Sequence, residues 1–407
     1  MIIITIQSKA LGSDSFVEEF YRDTWAEINL DAIFYNLTEI RNQLPNDTKV
    51  FVAVKANGYG HGDVQVARTV LAAGAHGLLV AFLDEALALR DSGITAPILV
   101  LGATRPKDAG IAAEKNISLT VFQHEWLLKA EESITTDTKL HVHIKCDTGM
   151  NRIGIKEENE LQQIEDALQQ SDSFYFEGIF THFATADQVE DSYYKEQLTR
   201  FKHFLKMLKA FPPYVHAANS AAALVHIDSI FNAVRIGIAA YGLSPSEEIK
   251  TQLPFKLKEA FSLKTKITYI KKLIAGEKVG YGATYTANEE EWLATIPIGY
   301  ADGWIRRLQG MKVLANGEMV PIVGRICMDQ TMIRLPRHIP VGTTIILIGC
   351  QQGQSVSVDD IANKLGTINY EVTCTISNRV PRVYIVNGSR ISSNSEIIAE
   401  NFKKISN

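Results

Sequence analysis

From position 50 onward, short and almost wholly apolar runs alternate with segments whose apolar residues recur every three or four positions. Runs of the first kind suit strands covered on both faces, and segments of the second kind suit amphipathic helices, so the pattern is one of repeated parallel βα units. The first strand is predicted over 50–56 and is followed by a helix over 64–73 that Gly74 stops. The second is predicted over 77–82, with a helix over 84–92 closed by Gly93. Further strands are predicted over 97–102, 118–122, 139–145, 176–183, 214–219 and 233–238. Together these give the number of strands that closes a (β/α)8 TIM-like barrel. An open doubly wound sheet uses similar units, but the GxGxxG turn expected after its first strand is missing here.

Beyond about 253 the pattern changes to β-branched, alternating runs separated by hairpin-like turns such as Ala315-Asn316-Gly317-Glu318. One long strand is predicted over 261–273, and one helix over 358–365 interrupts the β pattern and leads into Tyr370. At 407 residues the chain is longer than one core usually organises. The predicted division is an N-terminal extension over 1–22, a barrel over 23–255 and a mainly β domain over 256–407, whose last residues, 401–407, read as a frayed tail.

A formal net charge of -5 leaves no basic footprint for nucleic acid or for a membrane surface, so neither partner is expected. The opening MIIITI is too short to span a membrane and no basic residue precedes it, so a cytoplasmic location is expected. Cys146, Cys327, Cys350 and Cys374 form no CxxC pair, which argues against a disulfide framework or a zinc ribbon; buried thiols are expected.

Barrel enzymes carry their chemistry at the carboxyl ends of the strands. By the assignment above those ends hold Lys55, Lys145, His182, Asn219 with Ser220, and Arg235. Lys55 leads into a turn bearing Gly58, Tyr59, Gly60 and Gly62. A lysine at the mouth of an apolar pocket loses solvation of its charged form, which makes it a base and a Schiff-base nucleophile; the plainer reading is a lysine snorkelling to solvent. Barrels often bind phosphate with the loops after strands seven and eight, here Asn219-Ser220 and Gly237-Ile238, although Ser220 also suits a helix cap. His141-Val142-His143 places two imidazoles on one strand face, as a metal pair would, yet no Asp or Glu completes an obvious ligand set and no metal is expected.

Several segments together resemble the alanine racemase family: VAVKANGYGHG at 52–62, HFATAD at 182–187, AANSAA at 217–222, VRIGIAAYG at 234–242, VGYGATYTA at 279–287 and VGRICMDQ at 323–330. The resemblance runs from about 23 to 384 in the family's order. It implies pyridoxal 5'-phosphate carried on Lys55 as an internal aldimine, and interconversion of L- and D-alanine that supplies a bacterial cell wall. Decarboxylases of the same architecture, a broader racemase acting on serine, and barrel-only carriers of the cofactor are the alternatives.

The roles that follow are those the resemblance implies. Lys55 and Tyr281 act as bases on opposite faces of the cofactor plane, and His182 hydrogen-bonds the phenol, which as a class titrates near 10 and needs help to act as a base. Arg235 faces the pyridine nitrogen and, having no proton to give up, keeps carbanion charge out of the ring. Tyr59, Ser220, Gly237, Ile238 and Tyr370 hold the phosphate, with Asn219 and His216 beside the ring. Arg152 reaches the cofactor oxygen and the substrate carboxylate, and Lys145 matches a lysine that is often carbamylated. The resemblance also implies a head-to-tail homodimer whose shared sites receive Tyr281, Met328 and Asp329 from the second chain, with Tyr300 and Tyr370 narrowing the entrance against substrates larger than alanine.

Overall fold

A computed structural model describes residues 20–135 and 137–391. The predicted apolar runs become parallel strands, Lys49–Ala53, Gly77–Val80, Ile98–Val100, Ser118–Val121, Leu140–Lys145, Phe174–Phe180, Tyr214–His216 and Ala233–Ile236. Each pairs with the next and the last pairs with the first, so the barrel closes as expected. One set of alternate positions is buried against the surrounding helices; the other meets inside, where Phe51, Phe180, His143, His216 and Arg235 touch one another.

Helix Leu30–Gln43 begins where Asn29 Oδ1 accepts from the Ala32 N–H at 3.0 Å, and it buries Ile33, Asn36, Leu37 and Ile40 at helical spacing. Asn36 has no exposed surface, so its amide must be satisfied internally. It donates to the carbonyls of Ala240 and Lys258 at 3.2 and 2.8 Å and accepts from the Lys258 N–H at 2.9 Å. The helix is thereby stitched to the segment that leaves the barrel for the second domain.

That second domain is built mainly of strands. Its large sheet runs in the order Glu318–Pro321, Lys312–Ala315, Thr344–Gln351, Phe261–Lys266, Thr24–Asn29, Arg382–Val386 and Ser389–Ile391, with Gln354–Val356 paired to Thr344–Gln351. A smaller sheet holds Tyr269–Leu273, Glu291–Ile296 and Thr331–Leu335, and Lys278–Val279 pairs with Tyr285–Thr286. Helices Val358–Leu365, as predicted, and Asn369–Thr375 follow one another and lead the chain back to the barrel mouth.

Three expectations need correction. Thr24–Asn29 falls within the span predicted as barrel, yet it is a central strand of the large sheet, antiparallel to Phe261–Lys266 and parallel to Arg382–Val386. A short buried strand carries no local sign of which distant strand it will meet. The long strand predicted over 261–273 is two strands in different sheets: Phe261, Leu263 and Thr265 keep a buried alternation, whereas Tyr269 and Lys271 at the continuing positions are exposed. Of the cysteines only Cys146 is buried; Cys327 is partly exposed, and Cys350 and Cys374 are exposed. The predicted N-terminal extension, for residues 1–19, and the tail over 401–407 lie outside the described residues.

Candidate active site

Strand Lys49–Ala53 ends two residues before Lys55, and the chain then turns through Ala56, Asn57, Gly58 and Tyr59 with φ of 52°, 54°, 58° and 53°. Successive left-handed residues cost of order 1–2 kcal/mol each outside glycine, so the turn needs external support. Glu85 supplies it: one carboxylate oxygen accepts from the Ala56 N–H at 2.6 Å, while the other accepts from the Ala81 N–H at 2.7 Å. Lys55 is thus projected from a clamped turn into a cleft of about 520 Å³. Burial, and next the charge of Arg152, lower the pKa of its amine, with Glu85 and Cys374 partly opposing.

The cleft lies over the carboxyl ends of the barrel strands. Lys55, Tyr59, His182, Asn219, Ser220, Arg235, Gly237 and Ile238 line it, and Tyr370 closes one side from helix Asn369–Thr375. Of the residues that the resemblance places against the cofactor, all line this cleft except His216, which lies just beneath it against Arg235, and Arg152, which is exposed outside it.

Arg235 is 5% exposed and is held by its two terminal nitrogens. Nη1 donates to His216 Nδ1 at 2.8 Å and to the His216 carbonyl at 3.0 Å; Nη2 donates to the carbonyls of Thr181 at 2.7 Å and Ala217 at 3.0 Å, and to His182 Nδ1 at 3.2 Å. Among the described residues Nε has no such acceptor, which leaves one guanidinium donor for an occupant of the cleft. Because arginine only donates, His182 Nδ1 is an acceptor and its proton sits on Nε2. Burial, then Arg235, Arg152, Lys145 and Lys55, push the His182 imidazole well below its ordinary range, so it is neutral.

At the other end of the cleft, Asn219 Oδ1 accepts from the Ala222 N–H at 3.0 Å and caps helix Ser220–Val225. Ser220 Oγ accepts from the Gly237 N–H at 2.8 Å. A Cβ on residue 237 would come within 2.8 Å of the Tyr59 hydroxyl, so glycine there keeps open the space between phenol, hydroxyl and backbone. This cradle of neutral donors suits a phosphate, and the free Arg235 donor opposite it suits a ring nitrogen. With Lys55 lining the same cleft, the residues present fit pyridoxal 5'-phosphate.

Lys145 is 4% exposed, and its Nζ lies 5.5 Å from the centre of the Phe180 ring. Burial, then Arg152 and Arg235, lower its pKa to about 7 despite Asp147. Arg152 itself is exposed and does not line the cleft, although its charge reaches Lys55, Lys145, His182 and Arg235.

Tyr281, Tyr300, Met328 and Asp329 are not brought to the cleft of their own chain. Tyr281 is 72% exposed on the hairpin between Lys278–Val279 and Tyr285–Thr286, and Met328 is 53% exposed. Asp329 accepts from Arg379 at 2.7 Å, and the Tyr300 N–H donates to the Cys327 carbonyl at 3.0 Å. Sequence reasoning missed Glu85, whose only signal was its place three residues into a helix, and it missed that Cys374 and Glu371 line the cleft. His141 and His143 do not face a shared vacancy for a metal: a ring nitrogen of each bonds the carboxylate of Glu177.

The chain matches the family model described as alanine racemase, N-terminal domain, over residues 28–245, and that described as alanine racemase, C-terminal domain, over residues 260–384. It is 58% identical over 371 residues to an alanine racemase of Geobacillus kaustophilus, covering 91% of this chain and 97% of that one. The crystal structure of alanine racemase from Bacillus anthracis with bound L-Ala-P superimposes with a TM-score of 0.89 at 52% identity, over 92% of this chain and 97% of that one. A histidine racemase from Leuconostoc mesenteroides shares the fold at 35% identity with a TM-score of 0.86, over 90% and 99% of the two chains. With both domains matched and more than half of the residues identical to a curated relative across nine-tenths of its length, the chain belongs to the alanine racemase family of amino-acid isomerases.

Proposed function

We propose that the protein interconverts L- and D-alanine by a two-base mechanism, with pyridoxal 5'-phosphate in the cleft and its base-bearing residues drawn from two copies of the chain. The observation that carries this reading is the division of the site: the predicted cofactor-binding residues line one cleft, while Tyr281 stands 72% exposed elsewhere on the same chain. When bound, the cofactor acidifies the α-proton of an attached amino acid by accepting its electrons.

The chain's own residues then have separate tasks. Lys55 holds the cofactor, and its amine, whose pKa burial and then Arg152 lower, moves a proton on one face of the α-carbon. The partner subunit's Tyr281 moves a proton on the opposite face. His182, neutral and with its proton on Nε2, donates toward that phenol and stabilises its anion. Arg235 offers N–H without any capacity to pass a proton on, which keeps the proton traffic at the α-carbon.

Ser220, Tyr59, Gly237 and Ile238 anchor the phosphate, with Tyr370 beside Tyr59 at a ring separation of 6.1 Å. Arg152 and the partner subunit's Met328 receive the substrate carboxylate. Serine is the nearest competing substrate, and supply of D-alanine to a bacterial cell wall is the role that the family resemblance implies.

The test is the circular dichroism of pure L-alanine incubated with the cofactor-loaded protein, followed by chromatography of the endpoint. Decay to zero with D-alanine as sole product supports racemisation; an amine and carbon dioxide would indicate decarboxylation instead. A signal that stays constant with L-alanine but decays with L-histidine or L-serine would move the substrate assignment.

A further inference from the structure

Beneath the cleft, a line of side chains runs through the barrel interior from Arg235 toward the opposite mouth. Arg235 Nη1 donates to His216 Nδ1 at 2.8 Å, His216 Nε2 lies 2.9 Å from His143 Nδ1, and His143 Nε2 lies 3.0 Å from Glu177 Oε2. Glu177 also accepts from Ser118 Oγ at 2.5 Å and bonds His141 Nδ1 at 2.8 Å. His143 and His216 are each 1% exposed, so water does not compete along the line.

The direction of every proton in this line is determined. A guanidinium has no lone pair to offer, so His216 Nδ1 must accept. Burial, then Arg235 and His143, keep the His216 ring neutral, and its single proton is therefore on Nε2, donated to His143 Nδ1. His143, also lowered mainly by burial, must then carry its proton on Nε2 and donate it to Glu177. Burial works against the charge of Glu177, but the hydrogen bonds from His141, His143 and Ser118 outweigh it and hold the carboxyl well below its ordinary range. The line ends in an anion.

The backbone is shaped for this arrangement. Val142 pairs with Phe176 and His143 with Gly178, so Glu177 is the extra residue of a β-bulge, a device that re-aims one side chain. A Cβ at position 178 would collide with the His143 ring. Glycine is thus required where that imidazole crosses.

We infer that Glu177, His143 and His216 are positioning residues for Arg235: a chain of fixed tautomers, anchored by one carboxylate, that holds the Nη edge of the guanidinium and leaves Nε as the donor free for the cleft. The inference rests on the proposed racemisation for its catalytic consequence. If Arg235 is what keeps protons at the α-carbon, loosening it will raise the frequency of the side reaction in which the α-proton ends on the cofactor. In that reaction the amino group passes to the cofactor and one water releases pyruvate, so each pyruvate formed matches one aminated cofactor.

The experiment measures pyruvate formed per racemisation event in the parent, Glu177→Gln and His141→Asn enzymes, with thermal unfolding as a check on folding. Glu177→Gln keeps the shape and removes the charge; it is expected to raise the ratio roughly fivefold, the worth of about one net hydrogen bond. His141→Asn also takes a bond from Glu177, but on the side away from Arg235, and is expected to leave the ratio unchanged. If Glu177→Gln fails to fold, His143→Phe severs the same line with a ring of similar size and should show the same rise. An unchanged ratio in a folded variant, or an equal rise in His141→Asn, overturns the inference, as does failure of both severing variants to fold, which would make the line a folding device only.

A second readout needs no turnover. In the full-length protein with histidine labelled by nitrogen-15, His143 and His216 should both be Nε2–H tautomers, and Glu177→Gln should mix them. A parent protein that shows these tautomers but does not racemise alanine would refute the proposed function and leave the line itself standing; other tautomers in the parent would refute the line.

Discussion

The buried amine of Lys145 gives the sharpest physical prediction, because its environment is costly to the charged form in a way that depends on pH. Its pKa falls from the ordinary lysine value of 10.5 to about 7, with burial the first cause and Arg152 and Arg235 the next. Between those values the unfolded chain holds a proton that the folded chain has shed, so stability rises with pH across that window and the full penalty is present below about 7. At 1.36 kcal/mol per pKa unit the ceiling is about 5 kcal/mol, and the part recovered between pH 7 and pH 9 is about 2–3 kcal/mol. Lys145→Met replaces the amine with an apolar chain of similar length and removes this dependence. Urea unfolding of the cofactor-loaded parent and variant, at one protein concentration and in buffer freed of carbon dioxide, should show the variant gaining most at pH 6–7 and the gap narrowing by about 2 kcal/mol at pH 9. A gap that stays constant with pH, or widens as pH rises, would refute the account of this lysine as a desolvated amine.

Other consequences are open to direct measurement. The same lowered pKa makes Lys145 a nucleophile toward carbon dioxide near neutrality; carbon-13 bicarbonate should give a carbamate resonance that is absent from Lys145→Met, and its presence in that variant would remove the assignment. Mixing inactive Lys55→Ala with inactive Tyr281→Ala should restore activity up to about a quarter of the parent level through hybrid dimers holding one intact site; no recovery after verified subunit exchange would count against a shared site. Gly237→Ala puts a methyl group within 2.8 Å of the Tyr59 hydroxyl and should weaken cofactor affinity about tenfold or more, read by spectroscopic titration. Tyr370→Ala should admit amino acids larger than alanine, seen as a rise in their kcat/KM relative to alanine, and unchanged discrimination would take Tyr370 out of the entrance.

Most of the barrel was legible because its strands are buried on both faces and leave continuous apolar runs, and a lysine or arginine at the end of such a run is conspicuous. Lys55, Lys145 and Arg235 stood out for that reason. The left-handed turn after Lys55 was foreshadowed by its glycines, but the Glu85 clamp was not, since a glutamate near the start of a helix has an ordinary capping use. Glu177 reads in sequence as a lone acid in a strand; only the bulge, which depends on register with Leu140–Lys145, turns it toward His143. Thr24–Asn29 was misplaced for the same class of reason, because strand partners far apart in sequence leave no mark in local periodicity. Tyr281 came from the family resemblance alone, as an exposed tyrosine in a hairpin has nothing local to single it out.

That misplaced strand has a consequence for the order in which the protein can be made. Thr24–Asn29 leaves the ribosome early, yet its partners Phe261–Lys266 and Arg382–Val386 are separated from it by the whole barrel and, in the second case, by nearly the full chain. The barrel strands, Lys49–Ala53 to Ala233–Ile236, are all synthesised before either partner emerges. During that interval the nascent chain carries an unpaired apolar strand at its front, the kind of edge that invites association with other chains. Pairing across such separations is slow to form, so closure of the large sheet is the step expected to limit folding. A chain truncated before Arg382 would keep every barrel strand and still present Thr24–Asn29 as an open edge, and its fate in the cell would be decided by aggregation rather than by loss of the cleft.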